Sequence, residues 1–75
     1  MTAQLPSVSS REVCEALHRG GYCVTRTRGS HLTLSDGRRS VTVPMGRRDV
    51  HPQLLHFVLR DAGLTKAEFS ELLKG

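Results

Sequence analysis

The spacing of apolar positions changes its period along this chain, and each change marks an element. Val13, Ala16 and Leu17 recur at helical spacing. Ahead of them, Ser9 and Glu12 fit a capping box, and Val8 and Val13 stand at the two positions of a hydrophobic staple. Gly20-Gly21 supplies the stop, so a first helix is predicted over 9–19, after a lead-in at 1–7 that carries little information. From Tyr22 the period becomes two: Tyr22 and Val24, Leu32 and Leu34, and Val41 and Val43 alternate with small or polar residues. Three short strands are predicted, at 22–27, 30–35 and 38–43. The helical period then returns. Leu55, Val58, Leu59 and Ala62 form a stripe between His51-Pro52 and Gly63. A last helix follows, with Leu64 and Phe69 as staple, Thr65 and Glu68 as capping box, and Phe69, Leu72 and Leu73 as its buried stripe.

The turns suggest a register for the strands. Asp36-Gly37 is a two-residue hairpin signal, which sets Ser35 opposite Arg38, Leu32 opposite Val41 and His31 opposite Thr42. A three-residue loop, Thr27-Arg28-Gly29, sets Val24 opposite Leu32 and Thr25 opposite His31, so that apolar residues meet. The fold class is therefore α+β, a three-stranded antiparallel sheet with helices on one face in the order α-β-β-β-α-α. Tyr22, Val24, Leu32, Leu34, Val41 and Val43 line the covered face; Thr25, His31, Thr33, Ser40 and Thr42 line the other.

Seventy-five residues make one domain, 1–75, and a chain of this size buries only roughly 60% of its unfolded surface. With no tryptophan, one tyrosine and two phenylalanines, the core is aliphatic, and no aromatic platform for stacking bases is apparent. Charge changes the picture more. The net charge is +4, and six of the nine arginines (Arg26, Arg28, Arg38, Arg39, Arg47, Arg48) lie in the central third, where Asp36 is the only acid from Arg26 through Arg48. Such a run is either a solvated face or a phosphate-binding one. Cys14 and Cys23 sit within apolar patterns and read as small buried thiols. The cysteines and histidines lack the short paired spacings of a zinc site, so no metal and no cofactor is expected. With no apolar leader and no long apolar run, the chain is expected in the cytoplasm, away from membranes.

In this order, the residues resemble the HicA family of toxins, small bacterial mRNA interferases of type II toxin–antitoxin pairs. One anchor is Gly21-Tyr22, then Arg26, then Gly29-Ser30-His31. The other runs from Val41-Thr42-Val43-Pro44 through Arg47-Arg48-Asp49-Val50 to Val58-Leu59-Arg60-Asp61-Ala62-Gly63-Leu64. Where family members often carry further histidine or aromatic residues after the histidine, Leu32-Thr33-Leu34 stands here. The resemblance implies a fold similar to a double-stranded-RNA-binding domain, cleavage of mRNA that depends on His31, and inhibition by a HicB-like antitoxin. It implies a monomer when free, or one part of a toxin–antitoxin hetero-oligomer.

Residue chemistry fits that implication. Cleavage through the RNA 2′-hydroxyl needs a group to take a proton, one to give a proton, and positive charge at the phosphorane. Imidazole, titrating near about pH 6.5, suits either proton transfer. Arg26, Arg28, Arg47 and Arg48, with Ser30 beside the histidine, are the candidate RNA contacts. Read from pattern alone, His31 is a surface strand histidine. Leu54 and Phe57 widen the stripe of the second helix, either completing the core or forming a docking patch for a partner protein. Two rivals to the toxin reading remain at this level: a module of the same fold that binds RNA without cutting it, and a protein-interaction domain using Leu54 and Phe57.

Overall fold

A computed structural model describes residues 7–75; the rest of the lead-in, 1–6, lies outside the described residues. The elements are α1 (Ser10–Arg19), β1 (Cys23–Arg28), β2 (His31–Ser35), β3 (Ser40–Pro44), α2 (Pro52–Ala62) and α3 (Lys66–Lys74). This is the expected order, with an antiparallel sheet arranged β1-β2-β3.

Local chemistry starts and stops the helices where the pattern placed them. Ser9 is the N-cap of α1 rather than its first residue, and it exchanges capping-box bonds with Glu12. Thr65 and Glu68 do the same for α3. Pro52 opens α2, whose N-cap is His51, with Nδ1 accepting from the Gln53 N–H at 3.1 Å. Gly63 closes that helix at φ 71, a left-handed conformation that glycine adopts without strain.

The core lies on one side of the sheet. Leu34, Val41 and Val43 meet Val13 and Leu17 of α1, Leu55, Val58 and Leu59 of α2, and Phe69 of α3, all of them buried. Both α1 and α2 pack on β3, and α3 packs on α1. No helix among the described residues is long and apolar enough to cross a membrane.

Both hairpin registers differ from expectation. In the β2–β3 pair, Leu34 faces Val41, Leu32 faces Val43 and His31 faces Pro44, leaving the four-residue connection Asp36 to Arg39. The cause is Asp36, whose carboxylate accepts from the Arg39 and Arg38 N–H groups at 2.7 and 2.8 Å and folds the loop upon itself. In the β1–β2 pair the loop is Gly29-Ser30, with Gly29 at φ 57 as in a II′ turn, and Arg28 faces His31. Val24 still pairs with an apolar residue, Leu34, so β1 has one residue too many, and a bulge at Thr25 absorbs it. Two burial expectations fail on this edge strand. Val24 is 52% exposed, and Cys23 is exposed rather than buried, while Cys14 is half-buried.

Tyr22 ties the start of the sheet to the end of α2: its hydroxyl donates to the buried Ala62 carbonyl at 2.8 Å. Burial pushes its phenol above the ordinary range, Asp36 adding to the shift and Arg39 opposing it. The Arg39 guanidinium lies against Gly63, within 3.0 Å of where a Cβ would stand. A cation there suits the negative end of the α2 dipole.

Tyr22→Phe leaves the Ala62 carbonyl without its donor, so a loss of about 1–2 kcal/mol is expected, read as a lower urea midpoint at unchanged slope; an unchanged midpoint would contradict the role given to this bond. The N–H groups of Arg39 and then Arg38 hold the Asp36 carboxyl below its ordinary value. Its contribution to stability is therefore complete above the unfolded-state pKa of about 3.9 and lost as pH falls through the lower folded value. Asp36→Asn removes this dependence. The stability advantage of the native residue over asparagine is expected to shrink as pH drops from neutrality below about 4, and a constant difference across that range would refute it.

Candidate functional site

The site is built on the face of the sheet that the helices leave open. Leu32 and Leu34 of β2 point toward the core side, half-buried and buried, so His31 and Thr33 point the other way. Cross-strand pairing then arranges two rows. Arg28, His31 and Pro44 form one, and Arg26, Thr33 and Thr42 the other. The Thr33 and Thr42 hydroxyls are 3.4 Å apart on this face. Thr25, expected opposite His31, instead occupies the bulge, where its hydroxyl donates to the Thr33 carbonyl at 3.3 Å.

The bulge places the charge. With unbroken alternation from Val24, Arg26 and Arg28 would lie on the core side; the extra residue re-phases the strand and turns both to the open face beside His31. His31, Ser30, Arg26 and Arg28 are all exposed. Among the described residues, no hydrogen bond reaches the His31 imidazole, and the ion pairs present, Arg11–Glu15 and Lys74–Glu71, involve none of the central arginines. The Asp36 carboxylate is occupied by backbone N–H groups, and Asp49 accepts from the Ser7 hydroxyl at 2.6 Å. The face is therefore basic and uncompensated, suited to a phosphate.

The basic connection is tied to the same strands. Met45 N–H donates to the Ser30 carbonyl at 2.6 Å, directly after the Pro44–His31 pair. The chain then turns at Gly46, φ 84, and presents Arg47 and Arg48, both exposed. Sequence reasoning overlooked Ser10, which holds this turn. Its hydroxyl donates to the Pro44 carbonyl at 2.7 Å and accepts from the Arg47 N–H at 3.2 Å, while its own N–H donates to the Arg47 carbonyl at 2.9 Å. One signal was present: Ser9-Ser10 offers two serines where a helix start needs one cap.

The other candidates lie on the helical side. Leu54 is half-buried against the core, whereas Phe57 is 42% exposed, with the Arg60 guanidinium 5.4 Å from its ring centre and His56 edge-on at 5.8 Å. A cavity of about 390 Å³ opens between α1 and β1, lined in part by Cys14, His18, Tyr22, Val24 and Met45, and none of the candidate RNA contacts borders it. Burial pushes the Cys14 thiol up, away from reactivity. Among the described residues no three metal-ligating side chains converge.

A family model described as the HicA toxin of bacterial toxin–antitoxin systems matches residues 10–64. No curated protein matches the chain. The matched stretch runs from the first residue of α1 past Gly63 and contains both rows of the open face and the whole basic connection. It covers most of the sequence, and the chain belongs to the HicA toxins of bacterial toxin–antitoxin systems.

Proposed function

We propose that this toxin is a metal-independent endoribonuclease that cleaves mRNA with His31 as its catalytic residue, and that a HicB-like antitoxin inhibits it. What supports the reading is one juxtaposition: an imidazole with no hydrogen bond among the described residues, on an open sheet face, in register with arginines that no acid neutralises. The RNA supplies its own nucleophile. The 2′-hydroxyl loses its proton as its oxygen bonds to the adjacent phosphorus, and the P–O5′ bond breaks as the departing oxygen gains a proton. His31 carries one of these two transfers, and solvent on the open face serves the other. Arg26 and Arg28 stabilise the charge that develops on the phosphorane, while Arg47, Arg48 and Ser30 hold neighbouring phosphates.

The antitoxin docks on Phe57 and the adjoining exposed part of Leu54. Phe57 is the one ring among Tyr22, Phe57 and Phe69 that the core does not bury, and exposed aromatics with a flanking arginine are the usual anchors of protein interfaces.

His31→Ala makes no buried contact disappear, so the variant is expected to fold as the native protein while cleavage falls by about 10²–10⁴-fold and growth arrest is lost. RNA products are expected to end in 2′,3′-cyclic phosphate and to form in the presence of a chelator. Clean 3′-hydroxyl ends would exclude the route, retained toxicity of the variant would exclude His31, and intact RNA in a stable complex would leave a binding module of the same fold. Phe57→Ser is expected to leave toxicity unchanged while weakening the antitoxin complex by about 30-fold, the ~2 kcal/mol of an interface hot spot. Unaltered affinity, measured by calorimetry, would place the docking surface elsewhere.

A further inference from the structure

We propose that Ser10 is a positioning residue for RNA cleavage: it holds the turn that carries Arg47 and Arg48 out of β3, the strand paired with His31, and touches no substrate itself. The inference rests on the endoribonuclease reading and concerns how one of its phosphate-binding elements is built.

Ser10 is the first residue of α1, a position normally open to water, yet it is 1% exposed. Capping does not explain this, because Ser9 already caps the helix. The hydroxyl of Ser10 is committed across the β3–α2 turn, donating to the Pro44 carbonyl and accepting from the Arg47 N–H. Its backbone N–H, one of the donors that a helix start leaves without an internal partner, goes to the Arg47 carbonyl. One residue thus fixes both ends of a turn in which Met45 packs against the core and Gly46 has no side chain to pack.

The bonds form an unbroken path. His31 pairs with Pro44 in the sheet; the Ser30 carbonyl takes the Met45 N–H; Ser10 joins Pro44 to Arg47. Arg47 has no acid within ion-pair distance among the described residues, so its backbone anchor alone sets where its side chain starts. Without the hydroxyl, the Pro44 carbonyl and the Arg47 N–H lose their shared partner, and the turn between them is held only through the Ser10 N–H on the Arg47 carbonyl and, further along, the Val50 N–H on the Val8 carbonyl, so both arginines start from a looser backbone. Binding of phosphate would then require ordering that turn first, which weakens association without touching the proton transfers at His31.

The test is a double-mutant cycle on RNA cleavage, with Ser10→Ala, Arg47→Gln/Arg48→Gln and their combination. Ser10→Ala is expected to raise KM by about 10-fold with kcat within about twofold, and to flatten the salt dependence of RNA binding by about 0.7 for each phosphate that is no longer neutralised. In the Arg47→Gln/Arg48→Gln background, the same substitution is expected to add less than about twofold. Ser10→Cys, which fills the same space with a weak hydrogen-bonding group, carries the same expectation if the alanine variant does not fold. Effects that multiply across the cycle, a fall in kcat in place of a rise in KM, or failure of both variants to fold would each overturn the proposal and leave Ser10 a purely structural residue. Failure of the endoribonuclease reading shows separately, as absence of cleavage by the native protein.

Discussion

A core this small covers one face of a three-stranded sheet and leaves the other to water. The buried residues of the strands, Leu34, Val41 and Val43, already meet α1 and α2, and Phe69 fills the space that α3 closes. Among the described residues Val24 and Phe57 are the large hydrophobics left exposed, too few to build a second layer, so the far face carries side chains that tolerate solvent. His31, Thr33 and Thr42 satisfy that requirement by composition, and Arg26 and Arg28 join them through the Thr25 bulge. The proposed chemistry occupies the surface that the hydrophobic effect could not use. The charge there is uncompensated, since among the described residues no ion pair involves Arg26 or Arg28.

Besides the core, two polar joints fasten the helices to the chain around the sheet. Tyr22 fastens the start of β1 to the end of α2, and Ser10 fastens the start of α1 to the connection after β3. Each joint satisfies backbone groups at a helix end that would otherwise lack partners.

What could be read from the sequence follows the range of the interactions concerned. The capping boxes at Ser9 and Thr65 and the stop at Gly63 are written within a few residues, and the helices begin and end there. Alternation assigned Leu34, Val41 and Val43 to the core and His31 to the open face, because a period of two fixes faces. It does not fix neighbours. The β2–β3 pair slipped by two residues, which returns every side chain to the same face and leaves the apolar pattern unchanged. The β1–β2 pair hid a bulge, since alternation does not reveal which residue of an edge strand is left unpaired. His31 thus acquired Arg28 and Pro44 as neighbours in place of Thr25 and Thr42. Ser10 was illegible for a simpler reason: its hydroxyl partners lie 34 and 37 residues away. Toxin identity, in turn, comes from the family match over 10–64 and not from the geometry, which by itself describes a basic sheet face.

Because the open face contributes so little to the core, the proposed site and the fold have separate fates under mutation. A substitution at Arg26, Arg28 or His31 removes no buried contact, and exposed positions of this kind usually change stability by less than about 0.5 kcal/mol. On the proposed reading of the site, escape from a self-poisoning gene then takes a single codon. A lineage under pressure from its own growth arrest would tend to accumulate well-folded, silent copies of this chain, rather than copies lost to misfolding and degradation.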